Sequence, residues 1–174
     1  MVTTTRKKVL ESAPGAPDER MHSAVTVVAV TVEIEVVRSV TDELVEAFAR
    51  LLPQLSASAR PLDAEGLREL AGWPGNHLLV ARVDGRILGT LTLVTFPIPT
   101  GLRAWIEDVV VDVEARGSGV GAALTGEAVR LAHAAGARTV DLTSRPSRAA
   151  ANRLYERLGF QLRDSKVYRL AELP

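Results

Sequence analysis

The chain contains no cysteine among its 174 residues, which removes disulfide staples, thiolate nucleophiles and cysteine zinc sites together. Its three histidines, His22, His77 and His133, stand at no ligand spacing from one another, so no metal centre is expected. Charge of one sign is also missing. Lys and Arg number 21, as do Asp and Glu, and a zero balance argues against a nucleic-acid binder that works by neutralising many phosphates. No apolar run is long enough to span a bilayer. The run Ala24 to Val30 is short, interrupted by threonine and without a small-residue cleavage site, so it does not read as a signal peptide. The expected address is cytoplasmic.

What remains is a chain of one domain's length, able to bury roughly two-thirds of its unfolded surface. Residues 1–23, polar with two prolines and no apolar period, read as a disordered leader, and residues 24–174 as a single domain. Val30, Val32, Ile34 and Val36 alternate with Thr31, Glu33 and Glu35, the pattern of a half-buried strand. Ser39 or Thr41 then offers a cap for a helix carrying Leu44, Phe48, Leu51 and Leu52, which Pro53 is expected to stop. A second helix is expected over Pro61 to Ala71. Three antiparallel strands follow: His77 to Val83, a tight turn at Asp84-Gly85 that needs positive φ, Ile87 to Phe96, and Arg103 to Val111. Helical spacing of Val120, Ala123, Leu124, Ala128, Leu131 and Ala132 leads to Gly136 as a helix stop. Thr139 to Thr143 reads as a short strand parallel to the one ending at Val111, because it follows a crossover helix. Ser147 is the expected cap of a last helix, Arg148 to Leu158, closed by Gly159 and Phe160. Ser165 to Leu170 is expected to add a final strand.

The segment between Asp108 and Leu124 is the most informative. An apolar strand passes through Asp112 to Arg116 into the glycine-spaced turn Arg116-Gly-Ser-Gly-Val-Gly121, which opens a helix. A helix N-terminus leaves about four backbone N–H groups without intrahelical partners and its dipole favours negative charge. A turn stripped of Cβ atoms lets phosphate oxygens reach those donors, and Arg116 adds a planar cationic fork. The turn thus reads as the seat of a pyrophosphate-bearing ligand. Gly117-x-Gly119-x-x-Ala122 also fits the dinucleotide fingerprint of a Rossmann unit, with Asp141 at a fitting distance to hold a ribose. Against that alternative, five residues separate strand from glycines, and the upstream strands look antiparallel.

Ile106-Glu-Asp-Val-Val-Val-Asp-Val-Glu-Ala-Arg-Gly-Ser-Gly-Val-Gly121 together with Asn152-Arg-Leu-Tyr-Glu-Arg-Leu-Gly-Phe160 resembles the GNAT superfamily of N-acetyltransferases. Arg116, Gly119 and Gly121 match that family's phosphate turn, Arg/Gln-x-x-Gly-x-Gly/Ala. Val113 departs from it, since many relatives have proline there. The resemblance implies an α/β acyl-CoA N-acyltransferase fold: a mixed, mostly antiparallel sheet with a parallel pair that splays apart, flanked by about four helices. It implies acetyl-CoA as co-substrate and no metal, with transfer of acetyl to a primary amine by direct attack. By the same resemblance, the pantetheine arm would lie against backbone of Val109, Val110 and Val111. The pyrophosphate would take N–H groups of Gly117, Ser118, Gly119, Val120, Gly121 and Ala122, beside Arg116. Tyr155 would give a proton to the departing thiolate, with Asn152 bonding the cofactor arm or bracing the tyrosine. Glu107 would be the general base, its pKa raised by desolvation beside Trp105, while Asp108 reads as a bulge or edge residue. The two carboxylates fall on opposite faces if the strand is regular.

The acceptor is not written in these residues. No concentrated acidic patch announces a polyamine, and no basic cluster announces a phosphorylated sugar. A small-molecule amine or a protein N-terminus or lysine remains open, without nucleic acid or membrane, and a homodimer is compatible with the sequence. A non-catalytic acyl-CoA-binding module is the competing reading outside enzymes.

Overall fold

The computed structural model describes residues 31–170. The expected leader and the start of the domain at residue 24 therefore lie outside the described residues. The chain divides into two compact units with the boundary between Thr143 and Ser144. The first carries a five-stranded sheet in the order β1-β2-β3-β4-β5: β1 Val32–Val36, β2 Asn76–Val83, β3 Arg86–Ile98, β4 Gly101–Val111 and β5 Val140–Leu142. The first four pair antiparallel in succession, and β4 with β5 is the one parallel pair among the described residues. A doubly wound parallel sheet is thereby ruled out, and with it the Rossmann alternative.

The Asp84-Gly85 turn has φ of 49° and 83°, the left-handed pair that a two-residue hairpin of this twist requires. Helix α1 spans Asp42–Leu55, and Thr41 caps it by accepting the Leu44 N–H at 3.3 Å. Pro53 does not stop it. The proline sits in the last turn, where its missing N–H forfeits a single bond, and the Ser56 N–H still closes onto the Leu52 carbonyl at 3.0 Å. Helix α2 is shorter than expected, Ala64–Gly72, because Asp63 rather than Pro61 marks its start by accepting the Gly66 N–H at 2.8 Å.

The core on one face of the sheet joins Leu44, Phe48 and Leu51 of α1 and Leu67 of α2 to Leu78, Val80, Ile87 and Val110. The alternate strand positions Leu79, Ala81, Leu91 and Leu93 are fully buried on the other face. Helix α3, Val120–Ala134, packs there. A Cβ at Gly89 would meet Val120 at 2.9 Å and Leu124 at 3.1 Å, so the helix approaches the strand as closely as a glycine permits. Arg82 of β2 ties three elements: it forks onto Glu43 of α1 at 2.7 and 2.9 Å and reaches Glu35 of β1 at 3.1 Å.

The second unit carries α4, Ala149–Arg157. Arg148, not Ser147, occupies its N-cap position, with no side-chain cap bond. Its far end is as expected: Gly159 has φ of 90°, and the N–H groups of Gly159 and Phe160 close onto Glu156 and Tyr155 at 3.0 Å each, the left-handed glycine closure of a helix. The final strand is not formed. Residues 165–170 pair with no strand among the described residues, and Val167, Tyr168 and Leu170 are exposed. An alternating stretch becomes a strand only when a neighbour supplies the ladder.

Candidate functional site

Strand β4 is where the sheet's regularity breaks. Its pairing with β3 shifts between Thr90 and Thr92, which face Val110 and Glu107 respectively, so two residues of β4, Asp108 and Val109, stand against Leu91. Asp108 has φ of 51°, the left-handed conformation of a bulge residue. Glu107 and Asp108 are consequently both exposed and do not divide between faces as a regular strand would require. Glu107 is not desolvated as expected. Trp105 is half-buried, and its indole Nε1 is buried without a hydrogen-bond partner among the described residues.

On its other side β4 pairs with β5 only from Ala104 to Ile106, opposite Val140 to Leu142. Beyond Ile106 that edge of β4 has no strand partner among the described residues, so the parallel pair parts at the level of Glu107. The open edge runs through Val109, Val110 and Val111. A row of unpaired strand amides and carbonyls is a template for an extended ligand.

Past Val111 the chain enters a 3₁₀ turn, Val113–Ala115, that the sequence reading did not anticipate. The glycine turn follows. Gly117 and Gly119 have φ of 82° and 86°, conformations that cost other residues strain. A Cβ on Gly117 would meet nothing within 4 Å, so the turn is open. Helix α3 begins with Gly119 in the cap position, no side-chain cap bond and no acidic residue in its first turn. Its leading N–H groups, Val120, Gly121 and Ala122, therefore meet no side-chain cap among the described residues and stand at a positive dipole end. Arg116 is exposed beside them, its Nε 3.5 Å from the Val111 carbonyl. An uncapped helix start, a left-handed glycine turn and an open strand edge lie in sequence along one strand, turn and helix. The donors of this arrangement fit a diphosphate and its edge fits an amide-bearing arm.

A sequence model of the Acetyltransferase (GNAT) family matches residues 41–160. The chain belongs to that family. Among solved structures, an acetyltransferase of Trypanosoma brucei is 29% identical with a TM-score of 0.67 over 81% of this chain and 99% of its own. A transcriptional regulator from Bacillus halodurans is 28% identical with a TM-score of 0.63, covering 81% and 99%. An aminoglycoside acetyltransferase from an uncultured soil sample, 20% identical with a TM-score of 0.71 over 82% and 97%, shares the fold. No curated protein matches the chain.

The first unit thus brings Glu107, Val109 to Val111 and Arg116 to Ala122 onto one continuous feature. Asn152 and Tyr155 belong to the second unit, three positions apart on α4. The Asn152 amide donates to the Arg145 carbonyl at 3.1 Å, so its side chain fastens the start of the helix. Tyr155 is half-buried, with its ring edge-on to Phe160 at 5.9 Å between centroids. Burial pushes its hydroxyl pKa above the ordinary value, with Arg148 opposing. Ser144, Arg145 and Arg148 are exposed. Among the described residues no group of three or more acidic or histidine side chains is placed to hold a metal.

Sequence reasoning missed the support under the turn. Asp112 is 2% exposed and is held by Arg50 of α1 at 2.9 Å, while its other oxygen accepts the Glu114 N–H at 3.2 Å. The signal was available: an aspartate between an apolar strand and a glycine turn is a candidate cap.

Proposed function

We propose that this GNAT family member transfers an acetyl group from acetyl-CoA to a primary amine. The observation that carries the reading is the uncapped, acid-free start of α3 behind a left-handed glycine turn, continuous with an edge of β4 that has no strand partner beyond Ile106 among the described residues. Such a start is a poor design for a helix that only packs on a sheet, because its N–H groups are left for solvent. It is a good design for an anion.

Acetyl-CoA supplies the acyl group activated as a thioester. The N–H groups of Gly117 to Ala122, with Arg116, hold the diphosphate, and the backbone of Val109, Val110 and Val111 holds the arm. Glu107 takes the proton of the acceptor ammonium, directly or through water. A backbone N–H near Val109 meets the oxygen of the thioester carbonyl as charge develops on it. The amine nitrogen bonds to the carbonyl carbon and gives up its second proton to water, the carbon–sulfur bond breaks, and Tyr155 gives its proton to the departing sulfur and is reprotonated from water. A tyrosine whose pKa is raised by burial keeps that proton at neutral pH. Asn152 keeps the first turn of α4 in place for Tyr155.

We take the acceptor to be a small-molecule amine, with a protein N-terminus or lysine as the next candidate class, and the address to be cytoplasmic. Aminoglycoside and amino-sugar phosphate acetyltransferases share the fold, which makes those amines the first to test. No helix among the described residues is long and apolar enough to cross a membrane. The deciding assay follows free thiol released from acetyl-CoA across a panel of aminoglycosides, amino sugars, amino acids and peptides. Amine-dependent release, with acetylated product by mass spectrometry, is expected. Coenzyme A binding without release for any amine favours a non-catalytic acyl-CoA module instead.

A further inference from the structure

The glycine turn has little to hold it from within. Its own bonds are short-range: Ser118 Oγ donates to the Ala115 carbonyl at 2.6 Å, and the N–H groups of Arg116 and Ser118 reach Val113 and Ala115 only at 3.4 Å each. Glycines in the left-handed region sample many conformations when nothing outside constrains them. The constraint comes from the last turns of α1. The Arg50 guanidinium donates one hydrogen bond to Asp112 at 2.9 Å and another to the Ile87 carbonyl at 2.6 Å. One turn further on, Gln54 Oε1 accepts the Val113 N–H at 3.0 Å, while its amide nitrogen donates back to the Arg50 carbonyl at 3.3 Å. The Asp112 N–H closes onto Leu88 at 2.8 Å. From β3, Arg86 pairs with Glu114 at 3.3 Å.

We infer that Arg50 and Gln54 are positioning residues for the phosphate-binding turn: they lock the connection Asp112 to Ala115 onto α1 and β3, and through it set the aim of the N–H groups from Gly117 to Ala122. The inference rests on the coenzyme A reading of that turn. It assigns α1 a task beyond filling the core, which Leu44, Phe48 and Leu51 on its inner face already do. Arg50 and Gln54 instead reach the segment between β4 and α3. A turn held in its binding conformation before the ligand arrives spares the cost of ordering it, so loss of the brace appears in cofactor affinity.

The test compares two probes on the full chain. Coenzyme A carries the diphosphate, whereas acetyl-pantetheine carries only the arm and thioester. For Gln54→Ala, coenzyme A affinity is expected to fall about fivefold to tenfold, the order of one well-placed hydrogen bond. Its use of acetyl-pantetheine and its KM for the amine at saturating acetyl-CoA should stay within about twofold of the parent. Arg50→Lys, which keeps the charge but loses the planar fork, should show the same split. Equal losses for both probes would assign these side chains to stability alone and overturn the inference. Unchanged coenzyme A affinity in both variants would also overturn it, leaving the acetyltransferase reading intact. A parent chain that does not bind coenzyme A would remove both.

Discussion

Asp112 is the residue on which the connection between β4 and α3 depends. Burial alone would push its carboxyl up, but the Arg50 guanidinium, the Glu114 N–H and Gln54 together hold it below the usual value. A carboxyl whose folded pKa is depressed stabilises the native state above its unfolded value, about 3.9, and that support is lost as pH falls through the lower folded value. His77 on β2 acts in the same direction at higher pH. Its imidazole is held below its ordinary value by burial first and by Arg38 second, so its support is present above about 6.5 and fades as pH falls. Melting temperature measured between pH 3 and pH 8 should therefore decline in two steps, and His77→Gln should flatten only the upper one. Asp112→Ala should cost about 2 kcal/mol at neutral pH by chemical denaturation, less than a fully buried pair would, because Arg50 keeps its own access to water. Tyr155→Phe tests the proposed proton donor. Turnover should drop by about a hundredfold or more with coenzyme A affinity almost unchanged, and equal losses in both would return the tyrosine to packing against Phe160.

Helices and strands were legible in the sequence wherever a local rule decided them. The Asp84-Gly85 hairpin and the Gly159 closure each follow from one or two residues whose conformation has few alternatives, and of the two caps the sequence offers α1, Ser39 and Thr41, the structure uses Thr41. The failures share a cause as well. Pro53 reads as a stop in the sequence because its position within the last turn of α1 cannot be seen before the helix end is known. Ser165 to Leu170 reads as a strand from alternation that no neighbour answers in the described residues. The bulge at Asp108 and the brace from α1 depend on what lies across the sheet or 62 positions away in sequence, which no periodicity records. Gly89 is a case where a strand glycine gained meaning only from its partner helix. Gly89→Ala should push α3 away from β3 and cost about 2 kcal/mol, an overpacking effect readable as a drop of several degrees in melting temperature.

The first unit as a body reads as a holder built around a break in its own sheet. Three antiparallel strands support a fourth, β4, whose outer edge is paired over Ala104 to Ile106 and then has no strand partner among the described residues. Both faces of the sheet are packed by helices, and α3 turns its bare N-terminus toward the end of that edge's strand through the glycine turn. The motif around Arg116 to Gly121 was visible in the sequence because a left-handed glycine turn that opens a helix restricts residue choice there. The acceptor was not visible, because an amine can be held by many side-chain sets. A crystal structure of the chain with coenzyme A tests the account most directly. It should place the diphosphate within hydrogen-bonding distance of the N–H groups of Val120, Gly121 and Ala122 and the pantetheine arm along Val109 to Val111. Density for the nucleotide elsewhere on the molecule, with the α3 N-terminus bound only to solvent, would contradict it.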